Sequence, residues 1–236
     1  MSRMGSDEGM AGGAVLVTGG SSGLGAAVVD AVAKRGATPV VLDRQPPPDG
    51  AAFVPVDLAD SRAAQQAVAD ATELAGPPAA VVAAAGTDAC GRLDEVAFGD
   101  WTRVVAVNLV GTAAVVRAAL PALRAGRGRV VTVASTLGLR AVGDATAYCA
   151  SKFGVVGFTR ALAAETAGEV GVTLLIPGGM NTHFFDGRAE QYRPGPDAAL
   201  ADPTQVAEAV VFALSQPFGC QVRELVVCPP TETSWP

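Results

Sequence analysis

Histidine is almost missing from this chain: His183 is the only one in 236 residues. That excludes a histidine-rich metal centre. The four cysteines, Cys90, Cys149, Cys220 and Cys228, lack the paired spacing of a zinc site, so no metal is expected. Nor do they suggest a disulfide scaffold in a chain this long and apolar, and a reducing cytoplasm is the expected compartment. Positive charge is short as well. Seventeen Lys and Arg against twenty-three Asp and Glu leave a net charge of −6. No nucleic acid partner is expected, because such partners demand a basic face. Long hydrophobic runs are absent too. No stretch approaches the ~18–20 uncharged apolar residues of a bilayer span, and 112–123 is interrupted by Arg117, so no membrane is expected. Residues 1–13 hold acids and glycines without an apolar core and read as a loose, flexible leader, not a signal peptide.

What is present is a chain that is half hydrophobic, much of it alanine and valine, and long enough for one sizeable α/β domain over 14–236. Short β-branched runs bounded by glycine, proline or polar residues predict strands at 14–18, 38–42, 52–56, 79–83, 129–134, 172–176 and 223–227. Helical patterns fill the gaps: 26–35, 62–74 behind Asp60-Ser61, a long one from Asp100, 145–167, and one behind Asp202-Pro203 to Leu214. Strand and helix alternate without repeats or a linker. The expectation is a single doubly wound parallel sheet.

The first strand runs into Gly19-Gly20-Ser21-Ser22-Gly23-Leu24-Gly25 and then a helix. Glycines let a backbone approach a pyrophosphate closely, and a helix N-terminus offers free N–H groups to the anion. Ser21 and Ser22 add hydroxyls. Asp43 follows Gly25 by 18 residues, near the spacing of an acid that holds an adenosine ribose and repels a 2′-phosphate. This favours NAD. Arg44 beside it is the counter-argument, leaving NADP possible. Asp57-Leu58 closes the third strand, where Asp57 is either a contact for the adenine amino group or a turn residue.

Two tyrosines and two lysines are all the chain has, and one of each, Tyr148 and Lys152, sit four apart. On a helix that spacing stacks them on one face. A nearby ammonium favours the phenolate, so the Tyr148 pKa is expected to fall and make it a usable acid–base group. Ser135, at a strand end 13 residues earlier, is its plausible partner. Asn108 is an amide in an apolar stretch and needs partners wherever it is buried. The irregular stretch 183–201, after a strand's C-terminal end, reads as a substrate loop. Leu137, Met180, Phe184 and Phe185 suggest an apolar pocket. Arg124, Arg127 and Arg129 are either a solvated helix end or a docking patch for an acidic carrier protein.

Taken together, Thr18 to Gly25, Asp57, Asn108, Ser135, Tyr148-x-x-x-Lys152 and Pro177-Gly178 resemble the short-chain dehydrogenase/reductase family over nearly the whole chain. The resemblance implies a Rossmann-type fold with seven parallel strands in the order 3-2-1-4-5-6-7, NAD(P) as cofactor, and a small-molecule alcohol or carbonyl substrate. It implies that Tyr148 is the general acid/base, that Ser135 binds the reacting oxygen, and that Lys152 binds the nicotinamide ribose. Asn108 would hold a water linking Lys152 to solvent. Thr182 would lie near the nicotinamide carboxamide, with Ala85, Gly86, Pro177 and Gly178 lining the cofactor. Homotetramers and homodimers are common in such a family. Two departures stand out: Ala83-Ala84-Ala85-Gly86 replaces the usual Asn-Asn-Ala-Gly, and Cys228-Pro229-Pro230 replaces a common Asp-Gly-Gly turn. The leading expectation is NAD(H)-dependent interconversion of a secondary alcohol and a ketone. NADPH-dependent reduction of a biosynthetic or carrier-bound 3-oxoacyl intermediate, and a catalytically silent dinucleotide sensor, are the alternatives.

Overall fold

The structure is a computed structural model that describes residues 12–48 and 50–235. The leader expected over 1–13 lies, up to residue 11, outside the described residues. Seven parallel strands form one sheet: β1 (Ala14–Thr18), β2 (Thr38–Asp43), β3 (Ala52–Pro55), β4 (Pro78–Ala83), β5 (Arg129–Val133), β6 (Gly171–Pro177) and β7 (Glu224–Val227). Their order is β3-β2-β1-β4-β5-β6-β7, as expected of a Rossmann-type fold. Six helices join them: α1 (Gly23–Ala33), α2 (Ser61–Ala75), α3 (Phe98–Val105), α4 (Thr112–Gly126), α5 (Thr146–Glu165) and α6 (Pro203–Leu214).

The central strands are apolar on both faces because both faces are covered. In β1, Val15 and Val17 pack with α1 and α6, while Leu16 between them packs with α2 and α4 on the other side. Every residue of β1, β5 and β6 is buried. The edge strand β7 alternates exposed and half-buried positions, as a one-sided contact requires. The helix caps follow the sequence pattern. Asp60 accepts from the N–H groups of Arg62 and Ala63 at 2.9 and 3.1 Å, and Asp202 from that of Thr204 at 2.8 Å behind an N1 proline.

The helix expected from Asp100 begins at Phe98, and it is not regular. A π-helical turn, Ala106–Gly111, separates α3 from α4 and contains Asn108. Such turns are rare and cluster at functional sites. The whole stretch Phe98–Gly126 is long and apolar enough, by length and composition, to cross a membrane, and half of its apolar window is buried inside the protein. Packing of that face against the sheet accounts for the composition.

Candidate active site

Four turns meet at the C-terminal edge of the sheet, those after β1, β4, β5 and β6, and strand order reverses between β1 and β4. Open α/β sheets bind ligands at such a point. The turn after β1 is compressed to the limit. Gly19 has φ +69°, and a Cβ there would fall 2.7 Å from the Ala85 Cα; one on Gly25 would fall 2.0 Å from the Gly19 carbonyl oxygen. Gly23, φ +52°, faces Thr182, whose side chain would meet a Cβ at 3.3 Å. Ser22 is the N-cap of α1 but makes no side-chain capping bond, so the first N–H groups of the helix are free for an anion. Leu24 is buried beneath them and anchors the helix start in the core.

Asp43 ends β2 beside this turn. Its carboxylate accepts from the N–H groups of Ser21 (3.1 Å), Arg44 (2.6 Å) and Gln45 (3.3 Å), while the Ser21 hydroxyl donates to the Gln45 carbonyl. The carboxylate is thereby fixed at the end of β2, and Arg44 is exposed beside it. The residues present fit a dinucleotide: a glycine cradle a Cβ would fill, an uncapped helix N-terminus and a fixed acid. Asp57 is already engaged. It accepts from the Ala59 N–H at 3.0 Å and pairs with Arg103 at 2.9 and 3.1 Å. The Ala59 hydrogen bond lowers its pKa against the opposing effect of burial, and Arg103 adds to the lowering. Leu58, also buried, packs against Gly111 in the π-helical turn, where a Cβ would fall 2.5 Å from the Leu58 carbonyl oxygen.

Tyr148 and Lys152 occupy the first turns of α5, with the Lys152 Nζ 5.6 Å from the tyrosine ring centroid. Lys152 is buried and donates to the Val133 carbonyl at 2.8 Å, at the end of β5. Burial pulls its pKa down to about 8, opposed by the Asp88 carboxylate. The acidified phenol expected from the four-residue spacing is not what this structure holds. The Tyr148 side chain is half-buried, and crowding around it pushes the phenol up to about 12. A hydrogen bond from Ser135 works in the other direction, as does Arg188, while Asp88 adds to the rise. The lysine spends its hydrogen bond on a carbonyl and lies beside the ring, so desolvation prevails.

Asn108 is buried and fully partnered. Its amide donates to the Thr87 carbonyl (2.9 Å) and the Ser151 hydroxyl (3.0 Å) and accepts from the Thr87 N–H (2.8 Å). It thus clamps the loop after β4 onto α5, one residue from Lys152. Gly86 faces both residues: a Cβ there would lie 3.6 Å from the Lys152 Nζ and 3.7 Å from the Asn108 Oδ1. Ser135, buried, accepts from the Leu137 N–H at 3.1 Å, which fixes its hydroxyl at the head of the following turn. The alanines that replace the usual asparagines leave the backbone contacts in place: the Ala85 N–H donates to the Thr18 hydroxyl at 3.1 Å.

A cleft of about 450 Å³ opens beside Thr182, lined by Phe185, Asp186, Arg193, Pro194 and Leu200 among others. The Phe184 ring lies 5.7 Å from that of Tyr148 and 5.6 Å from that of Phe185. Met180 bridges to Ala201 and packs against the core. Thr182 caps the next turn by accepting from the Phe184 N–H. His183 is exposed and pairs with Asp186 at 2.7 Å. The arginine cluster is used internally: Arg124 pairs with Glu169, Arg127 covers Phe218, and Arg129 donates to the Gln216 carbonyl. Among the described residues no group of three metal-ligating side chains could hold a metal ion.

The family model described as short chain dehydrogenase matches residues 13–193. The chain belongs to this family. It is 32% identical to L-fucose dehydrogenase of Mus musculus, over 90% of this chain and 86% of that protein. It is 34% identical to D-threitol dehydrogenase of Mycolicibacterium smegmatis, over 85% of each. Among solved structures, the fold matches an alcohol dehydrogenase of Thermococcus sibiricus complexed with 5-hydroxy-NADP, with a TM-score of 0.81, 24% identity, and coverage of 91% and 95% of the two chains. The protein is accordingly an NAD(P)-dependent oxidoreductase acting on CH–OH groups.

The path of the C-terminal tail is decided by contacts the sequence does not announce. Pro177 ends β6 and Gly178 follows it, and the Glu232 carboxylate accepts from the Gly179 N–H at 2.9 Å and from the Ser234 N–H and hydroxyl at 3.1 and 2.7 Å. With its proton given to Glu232, the Ser234 hydroxyl accepts from that of Thr136, next to Ser135, at 2.7 Å, and Arg140 donates to the Thr233 carbonyl. The tail therefore ties the turn after β5 to the turn after β6. Burial raises the Glu232 pKa, but the Gly179 and Ser234 hydrogen bonds outweigh it and the net shift is downward. A folded pKa below the unfolded one means stability present above the unfolded value and lost on acidification. Glu232→Gln is expected to cost about 1 kcal/mol at neutral pH, with the gap to wild type closing as pH falls below the ordinary carboxyl value of 4.5. Urea titrations across that range check this; a gap constant with pH would refute it.

Proposed function

We propose that the protein interconverts a secondary alcohol and a ketone, with Tyr148 as the proton-transferring group and NAD(H) as the favoured cofactor. The observation that carries this reading is the convergence of Tyr148, Lys152 and Ser135 on the sheet edge beside the glycine cradle. When bound, the nicotinamide supplies the hydride acceptor or donor. Ser135 orients the substrate oxygen, and Tyr148 takes or gives its proton. Lys152 places positive charge next to the phenol and would hold the cofactor ribose. Asn108 holds the loop that carries Gly86, keeping the space between Lys152 and its own Oδ1 open.

The fixed Asp43 carboxylate supports NAD, since its charge repels a 2′-phosphate. Asp43→Ser is expected to weaken NADH binding about 10- to 100-fold, the loss of one charge-assisted contact, and to improve NADPH binding beside Arg44. Fluorescence titration with both cofactors tests this; an unchanged NADH affinity would overturn the assignment. We place the protein in a reducing, cytoplasmic setting, a reading supported by four unpaired cysteines. A homo-oligomer is supported by exposed Val110 in the π-helical turn before α4 and exposed Phe153 on α5. The decisive screen is nicotinamide absorbance with NAD and NADP against diverse alcohols and carbonyls. Tight cofactor binding without turnover of any of them would reject the redox reading.

A further inference from the structure

Against Phe184, whose ring packs on Tyr148, lies a largely enclosed ion pair for which the proton path has no use. Asp88, two residues beyond Gly86, accepts from the Arg188 Nη2 at 2.6 Å, and the two side chains are 6% and 18% exposed. Asp88 also accepts from the Ala89 N–H at 2.7 Å and the Cys90 thiol at 3.1 Å. Arg188 belongs to the loop after β6. Its Nη1 donates to the Tyr192 carbonyl at 3.3 Å, and its guanidinium lies 5.0 and 4.6 Å from the ring centroids of Phe184 and Phe185. The Tyr192 hydroxyl donates to Asp144, closing the same loop onto the segment before α5. The Nε of Arg188 is enclosed and has no hydrogen-bond partner among the described residues.

These facts combine in one way. A buried ion pair yields little net stability, because desolvation offsets the attraction. A buried donor without an acceptor is an added cost. Here both sit in the loop that packs Phe184 against the reacting tyrosine. The loop thus lacks one acceptor among the described residues, and it is the loop whose Phe184 ring lies 5.7 Å from that of Tyr148. Charge narrows the identity of that acceptor. Asp88 already neutralises Arg188, so the spot carries no net positive charge and a carboxylate or phosphate would meet Asp88. A neutral oxygen would not.

Resting on the redox reading above, we propose that Asp88 and Arg188 form a recognition subsite for a second hydroxyl of the substrate, and that the loop 183–192 closes over a neutral polyhydroxylated alcohol. The hydroxyl oxygen accepts from the Arg188 Nε and its proton is offered to Asp88, while the carbon at Tyr148 is oxidised. A site built to bond a hydroxyl rejects the analogue lacking it, because its polar group is then left unpaired.

The test compares D-threitol with 2-butanol, using the full chain with NAD, for wild type and Arg188→Lys. Lysine keeps a cation opposite Asp88 and removes Nε. Wild type is expected to favour D-threitol about 10- to 100-fold in kcat/KM, the yield of one charge-assisted hydrogen bond. Arg188→Lys is expected to lose that preference, with kcat/KM falling about 10- to 100-fold more on D-threitol than on 2-butanol. Equal loss on both alcohols, or no preference in wild type, overturns the subsite and leaves the redox reading standing. Calorimetric binding of D-threitol to NAD-loaded Tyr148→Phe and to the Tyr148→Phe/Arg188→Lys double variant reads the subsite without turnover. Arg188-dependent binding with no turnover by wild type would keep the subsite and sink the redox reading. Should Arg188→Lys fail to fold, Asp88→Asn serves. It leaves the guanidinium uncompensated and is expected to shift preference toward lactate; no shift refutes the neutral-substrate argument.

Discussion

Tyr148→Phe is expected to lower kcat by about 10²- to 10⁴-fold, the range a positioned acid–base group contributes. Cofactor affinity should stay close to wild type. The substitution removes one oxygen and leaves the ring, which packs against Phe184 and lies beside the Lys152 ammonium. The glycine cradle and Asp43 are untouched. Loss of rate with retained NADH binding is therefore the signature of a proton-transfer role. Burial already disfavours the phenolate, with the phenol at about 12 in the protein alone, so the hydroxyl is protonated at neutral pH. Removing it costs no charge, and thermal stability should change by no more than about 1 kcal/mol. Single-turnover kinetics and a binding titration on one preparation check both halves. Retention of most of the turnover would remove Tyr148 from the reaction.

Lys152→Met should also abolish turnover, but in a protein more stable than wild type. Lys152 is buried and its pKa is pulled from 10.5 to about 8 by desolvation. At pH 7 both folded and unfolded states are protonated, and the folded state bears the full penalty. That penalty is about 3 kcal/mol at 1.36 kcal/mol per pKa unit. Methionine fills a similar volume without a charge but gives up the hydrogen bond to Val133, worth about 1 kcal/mol. The net gain is about 2 kcal/mol, or roughly 4–8 °C in Tm. The sign with pH follows from linkage. Between the folded value near 8 and the unfolded 10.5 the unfolded state binds more protons, so wild-type stability rises with pH there. The advantage of Lys152→Met should accordingly shrink from pH ~7 to ~10. Paired thermal melts in the absence of cofactor measure this; a variant less stable than wild type at neutral pH would contradict it.

Penalty and function belong together in this residue. A lysine exposed to water would cost little, and high dielectric would screen its charge from its neighbours. Burial strengthens whatever short-range interaction the charge makes, and the fold carries the cost in its large alanine and valine core. Sites where local rules fail are where function is expected, and the π-helical turn at Ala106–Gly111 is a second example. Its irregularity lets Asn108 reach the Thr87 backbone and Ser151 together.

The sequence by itself determined the strands, the glycine turn and the alternation that makes a doubly wound sheet. Those features are local: β-branched runs, a Cβ excluded at Gly19 and Gly25, and caps at Asp60 and Asp202. The Tyr148–Lys152 spacing was local too, because one helical turn brings them to one face. Their ionisation was not. Whether the ammonium acidifies the phenol depends on how much protein surrounds both, and spacing along the chain carries no information on that. Only the tertiary structure decided that burial prevails. It also decided that Asp57 is held by Arg103, 46 residues away, and that Glu232 reaches the Gly179 N–H across 53. Asp88 and Arg188 lie 100 residues apart and share no pattern that marks them as partners. Each such pairing is made by segments far apart in sequence that converge at one edge of the sheet, loops for the most part and helix α3 for Arg103. The sheet order brings those loops together, and the local sequence of each loop is silent about the others.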